Sequence, residues 1–351
     1  MGAVPERRIS GPETARGFDP PDMKMGTSET PEISLVTTAR KAPAWQRSVF
    51  NLDNGFRAVM LLAALSVLAV VGLIVIELLQ RSAMAWRAFG LHFFVTSAWD
   101  PVSGQYGAVP FIYGTLVSSV IALVIAVPLA IAVAVFVTEM CPQPLRKPIG
   151  YATELLAAIP SVIYGLWAMF ILVPLFRVYI QPWCMKYLGW TGLFDGPPYG
   201  VGMLTAGTVL AIMIIPIITA IGRDVLRGVP RAQVEGTTAL GATWWQSSKE
   251  MLLYSRSALF GAVMLGLARA AGETMAITMV IGNNNRISSS IFAPAQTMSS
   301  LLANEFAEAG TALHRSALAE VALILLLMSL LFNVTARWLV VGGNSRSAAA
   351  H

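Results

Sequence analysis

Six stretches of this chain are apolar over about twenty residues or more, at roughly 57–80, 111–138, 150–176, 202–222, 258–281 and 318–341. A helix needs about 20 such residues to cross the hydrocarbon core of a bilayer, at about 1.5 Å rise per residue. Lipid offers no hydrogen bonds, so every backbone N–H and C=O in such a run must be satisfied inside the protein, and runs of this length fold as helices. The expected fold class is therefore an all-α membrane protein with six transmembrane helices. The charge content agrees. Only 12% of the 351 residues are Asp, Glu, Lys or Arg, about half the share that coats a soluble domain.

The segments between the runs organise the chain. Residues 1–47 are rich in Pro, Glu, Arg, Ser and Thr without an apolar period, which predicts a disordered tail. A membrane domain fills 48–345. The first apolar run begins only after Arg57 and is too long for a signal core, so no cleaved leader is expected. Basic residues concentrate on one set of connecting segments, among them Arg146, Lys147, Arg223, Arg227, Arg231, Lys249 and Arg256, while the opposite set carries few. By the positive-inside rule both termini are expected in the cytoplasm, with Trp86, Trp183 and Trp338 as interfacial anchors. The net charge of +5 is accounted for by this bias. No basic stripe is interleaved with stacking aromatics, so no nucleic-acid partner is expected. Cys141 and Cys184 fall on opposite sides, so no bridge is expected, and no metal spacing or cofactor motif is present. A phosphate-cradling G-x-x-x-x-G-K-S/T loop is also missing, which argues against the chain being an ATPase itself. Pro128, Pro160, Pro174 and Pro216 fall within the runs and predict kinks.

The loop over 223–257 is long and polar. Pro230 suits the opening of a short helix, Gly241 its end, and Thr243 with Gln246 a capping box that starts a second helix. Glu235 sits near the positive end of the first helix. Gly236 and Ala239 are small enough to let another surface approach closely. The arrangement fits a docking element for a cytoplasmic partner, and an ordinary amphipathic surface helix fits the same residues.

The fifth run contains Arg269, placed about twelve residues from either end and so near the bilayer midplane, with Glu273 and Thr274 following. The spacing of four predicts Arg269 and Glu273 on one helical face, and Ala268 with Gly272 forms a small-xxx-small pair beside them. A charge at that depth costs about 2.5–3.5 kcal/mol on insertion scales. Such a cost is borne at a substrate path or by a structural ion pair, and the residues alone leave both open. The planar fork of Arg matches an oxyanion well. Glu154 and Glu320 fall near run ends and are expected to reach the interface or cap helices. His314, in an outer loop, is given no catalytic role.

Three blocks resemble a known family. Glu235, Gly241 and Leu253 match the spacing of the "EAA" loop of ATP-binding-cassette importer permeases, although Gly236 and Thr237 replace its two alanines, Met251 its isoleucine and Tyr254 its proline. The stretches Ala158–Gly165, Gly266–Asn283 and Leu302–Ala309 are similar to those of the PstC-type permeases of bacterial phosphate importers, and the resemblance covers about 57–341. It implies the type I (MetI-like) importer permease fold, a plasma-membrane location and phosphate as substrate. It implies Arg269, Glu273 and Thr274 along the substrate path, and Glu235, Gly236, Ala239 and Gly241 in coupling to the ATPase. The implied partners are a second homologous permease (PstA-like), two ATP-binding subunits (PstB-like) and an external phosphate-binding protein (PstS-like). That binding protein would meet the outward segments 81–110, 177–201 and 282–317, which carry Asp100, Asp195, Glu305 and Glu308. Two alternatives stay open: a permease for molybdate or sulfate, and a sensory or scaffold membrane protein.

Overall fold

The computed structural model describes residues 44–348, with side chains described at 54–335, 337 and 338. Of the tail expected over 1–47, residues 1–43 lie outside the described range and 44–47 belong to the first helix. The chain divides into two units at Ala64. The described part of the first, residues 44–64, is helical throughout. Apart from the first helix, which begins before Leu65, everything below concerns the second unit, from Leu65 onward.

Twelve α-helices are described: α1 (Ala44–Phe89), α2 (Val109–Val135), α3 (Gln143–Ala158), α4 (Ser161–Trp167), α5 (Val173–Leu175), α6 (Gln181–Leu188), α7 (Met203–Arg227), α8 (Arg231–Ala239), α9 (Trp244–Ala271), α10 (Met275–Val280), α11 (Met298–Glu305) and α12 (Ala312–Ala348). No strand is described, only two isolated bridges. Six stretches are long and apolar enough to span a bilayer, at Asn54–Phe94, Val109–Met140, Ser161–Thr191, Met203–Arg227, Trp244–Ala271 and Ala312–Thr335. The predicted number of spans is met.

Two of the predicted spans are corrected. The run at 150–176 is not one helix. Ile159 is extended (φ −65°, ψ 130°) because Pro160 disfavours the α region in the residue before it and brings no N–H. Helix α3 ends there, and the third span starts at Ser161 and continues through π-helical turns and the short α5 and α6 to Thr191. The run at 258–281 is also misplaced. Helix α9 begins at Trp244 and stops at Ala271. Apolar counting missed its start because the early turns carry Lys249, Glu250 and Arg256. These are good helix formers, and hydropathy reports contact with lipid rather than helicity.

Helix α7 is the centre of the packing, flanked by α2, α3 and α9. Alanines recur every fourth residue along α2 at Ala122, Ala126, Ala130 and Ala134, all fully buried. Inside a bilayer helices gain little from hydrophobic contact with each other, and small residues that let backbones approach supply the packing instead. The two ends of α7 differ in chemistry. At the Arg227 end lie α3 and α8. At the Met203 end the Gly202 N–H donates to the Val280 carbonyl at 3.1 Å.

A separate aromatic cluster joins the loop after α1 to α11 and α12. Trp99 meets Tyr106 and Phe111 edge-on, each at 4.9 Å between ring centres. The Trp99 indole N–H donates to Glu305 at 2.8 Å, and His314 Nε2 lies 3.0 Å from the same carboxylate oxygen. Burial pushes the Tyr106 hydroxyl above its usual range, so this phenol stays protonated well into alkali. Cys141 and Cys184 are both buried and free.

Candidate functional site

Arg269 sits in the last turn of α9, three residues beyond Gly266. A side chain at Gly266 would collide with Ile218 of α7, 2.8 Å away, so the two helices touch there. Ile218 is the sixteenth residue of the 25 in α7. Three residues further along α9, about 4.5 Å, Arg269 lies close to the middle of α7's length.

The expected shared helical face for Arg269 and Glu273 is corrected. Gly272 caps α9, so residues 272–274 leave the helix before α10 begins at Met275. Glu273 turns back into the protein, where it is 9% exposed. Its Oε1 lies 3.4 Å from the Ala276 N–H, which donates to it. Its backbone carbonyl accepts from the Ser299 hydroxyl at 2.6 Å. Thr274 is half-buried, and its carbonyl accepts from both the amide and the hydroxyl of Thr278, at 3.0 and 2.7 Å.

Arg269 by contrast is exposed on the surface of this chain. Among the described residues no ion pair links it to Glu273. At mid-length of the bundle, beside the small residues Ala268 and Gly272, an open guanidinium offers a planar fork of donors that fits a tetrahedral oxyanion. The Glu273 segment is held by α10 and α11, and α10 packs on α4. The break at Ile159–Pro160 and the break at Gly272–Thr274 therefore flank one helix pair, the arrangement of interrupted helices tolerated where backbone is enclosed by protein or lines a cavity.

The loop over 223–257 folds as its residues predict. Pro230 precedes α8. Gly241 has φ +81°, a left-handed conformation that costs glycine little and other residues about 1–2 kcal/mol. The Thr243 hydroxyl accepts from the Gln246 N–H, while the Gln246 side chain accepts from the Thr243 N–H at 2.8 Å. Thr237 and Ser247 hydroxyls meet at 3.1 Å and tie α8 to α9. Glu235, Gly236, Ala239 and Gly241 are all exposed on this corner.

Sequence reasoning missed three neighbours of that corner. Leu240 is 90% exposed, and Trp244 and Trp245 are 46% and 68% exposed. Together they make an apolar surface beside Gly241, and the signal was visible as Leu-Gly-Ala-Thr-Trp-Trp at a helix start. Glu320 was also misplaced. It neither reaches the interface nor caps a helix: it is 2% exposed, and neither carboxylate oxygen has a hydrogen-bond partner among the described residues. Glu154 is exposed and faces Arg223 at 3.4 Å.

Residues 126–341 match the family model described as binding-protein-dependent transport system inner membrane component. The chain is 46% identical over 302 residues to the phosphate transport system permease protein PstC of Mesorhizobium japonicum, covering 85% of this chain and 92% of that one. It is 45% identical to PstC of Haemophilus influenzae, covering 84% and 96%. The chain belongs to the PstC family of permeases. A probable PstC of Methanocaldococcus jannaschii is 34% identical over 71% of this chain and 81% of its own length. The fold also matches a chain of a bacterial ABC transporter involved in the import of the acidic polysaccharide alginate, with a TM-score of 0.52 and 17% identity, over 82% of this chain and 98% of that one. The PstC-family chain thus has the six-helix fold of type I (MetI-like) importer permeases and is a multi-pass inner-membrane protein.

Proposed function

We propose that this permease subunit conducts phosphate inward as part of an ATP-driven complex, with Arg269 meeting the anion in the path and the Gly241 corner receiving the ATPase. The observation that carries this reading is the continuity of α9. One helix runs from the Thr243 cap to Ala271, so about 38 Å of rigid rod separates the exposed corner from Arg269. A push on the corner is delivered at the guanidinium without a joint to absorb it. The break at Gly272–Thr274 lies just beyond, where the segment can change course.

Phosphate as substrate rests on the names of the PstC relatives and on the fit between an unpaired guanidinium and an oxyanion. The exposure of Arg269 on a lone chain supports a second homologous permease opposite it, whose own cation shares the anion. Glu235, Gly236 and Ala239, with exposed Leu240 and Trp245 beside them, form the surface offered to one of two ATP-binding subunits. The excess of basic residues at the Arg223 end supports a cytoplasmic position for that end and for both termini. The opposite end, with Asp100, Asp195, Glu305 and Glu308, then faces the external phosphate-binding protein. ATP hydrolysis takes place in the separate subunits.

The test is phosphate uptake in cells carrying the whole complex. Arg269→Ala abolishes uptake while the complex still assembles, and Arg269→Lys retains part of it. Normal uptake by both variants would refute the direct role. Competition with molybdate and sulfate separates phosphate from the other oxyanions. A cysteine placed at Ala239 forms a crosslink to the ATP-binding subunit in the active complex, and its failure to do so would remove the docking assignment.

A further inference from the structure

The Arg223 end of the bundle holds a second cationic site, unrelated to Arg269. A cavity of about 870 Å³ opens between α3 and the end of α7. Its wall carries Arg146, Lys147, Arg223 and Arg227, with Tyr151 beside them and Glu154 as its one carboxylate. The first turn of the 16-residue α3, at Gln143, lies on the same wall and adds the positive end of a helix.

Two of the four cations are built in rather than loosely displayed. Arg223 lies against Gly150, where an added Cβ would come within 2.7 Å of its Nη1. Its side chain is only 11% exposed, and both of its acidic contacts, Glu154 and Asp224, stand off at 3.4 Å with their own side chains 58% and 66% exposed. A charge-assisted hydrogen bond between such groups closes to about 2.7–2.9 Å, so Arg223 is only weakly compensated. The Nη2 of Arg146 donates to the Thr138 carbonyl at 2.8 Å, while its buried Nε has no acceptor among the described residues. Four positive groups therefore line a space whose wall holds one acid, Glu154, with Asp224 beside Arg223.

We infer that this cavity binds a phosphate oxyanion, presented either by free phosphate or by the headgroup of an anionic phospholipid. Both carry the same tetrahedral acceptor set, and guanidinium groups recognise it in pairs. A basic pocket between helices at the cytoplasmic surface is where an anionic headgroup is attracted. The inference stands on the α3–α7 geometry and does not depend on the transport reading of Arg269.

The experiment uses the full chain in nanodiscs of phosphatidylcholine, with and without phosphatidylglycerol. Inorganic phosphate binding is measured by calorimetry in the first, and retained phosphatidylglycerol by native mass spectrometry in the second. The double variant Lys147→Gln, Arg227→Gln lowers the affinity, or the retained lipid, by about tenfold. The charge-preserving pair Lys147→Arg, Arg227→Lys restores most of it. Dependence confined to the phosphate arm names free phosphate as the ligand, and dependence confined to the lipid arm names the headgroup. If neither arm depends on Lys147 and Arg227, or if Arg269→Ala alone removes the binding, the inference is overturned.

Discussion

Arg269 and Arg223 lie on neighbouring antiparallel helices, and the fold treats them in opposite ways. Arg223 is sunk beside Gly150 with two carboxylates in reach. Arg269 is left open on the surface of its own chain, and the nearest acid in sequence, Glu273, is folded away into a backbone turn. A buried cation that keeps acidic neighbours is part of the packing of one chain. A mid-depth cation that keeps none draws its compensation from outside that chain, from an anion or another subunit, because lipid supplies no counter-charge.

The largest expected effect follows from Arg269. Losing a bidentate, charge-assisted contact is worth about 1.5–3 kcal/mol per bond, so Arg269→Ala reduces phosphate uptake by about a hundredfold or more. The thermal unfolding temperature of the isolated chain stays where it was, since no described partner within the chain is lost. A large fall in that temperature would show that Arg269 is structural after all and would erase the contrast with Arg223.

The converse prediction concerns Gly150. Gly150→Val fills the space now used by the Arg223 guanidinium, and such overpacking costs about 1–3 kcal/mol. The cost appears in unfolding of the isolated chain, with α3 released from α7. Smaller still is the effect of the corner that starts α9. Gly241→Ala strains a positive φ and Thr243→Ala removes a cap, each for about 1 kcal/mol. Uptake falls more than stability does, because the rod that reaches Arg269 begins at that turn. Equal falls in both would mean that the corner serves only to hold α9 in place.

Much of this contrast was legible in the residues, and the rest was not, for definable reasons. Capping is local chemistry, so Pro230, Gly241, Thr243 and Gln246 announce their turns in sequence and the structure has them. The apolar run put Arg269 about twelve residues from either end, whereas α9 ends two residues beyond it, and its mid-length place follows only from the packing of Gly266 on Ile218 of α7. What sequence did not reveal was where helices stop inside an apolar run. The kink expected at Pro160 is a full break at Ile159, and the break at Gly272–Thr274 falls inside a run read as one helix, where tertiary contacts such as Ser299 on the Glu273 carbonyl hold the interrupted backbone. The helical spacing of Arg269 and Glu273 assumed a helix that had already ended. The burial of Glu320 was hidden for a related reason. Helix periodicity ranks faces but cannot say which face of α12 the rest of the fold covers.

The finest test compares two pairwise couplings in the isolated chain. A double-mutant cycle on Arg223→Ala and Glu154→Gln is expected to return about 0.5 kcal/mol, because the pair stands 3.4 Å apart and Glu154 is 58% exposed, so solvent screens most of the attraction. The same cycle on Arg269→Ala and Glu273→Gln is expected to return less than about 0.3 kcal/mol, within the scatter found for independent sites. Glu273→Gln on its own still weakens a link, since the Ala276 N–H then faces an amide oxygen in place of a carboxylate. That loss is the same whether Arg269 is present or not, and this equality is what the cycle reads. A coupling above about 1 kcal/mol would mean that the two side chains meet in solution. Arg269 would then be compensated within its own chain, and its openness to an anion would be confined to one conformation of the transporter.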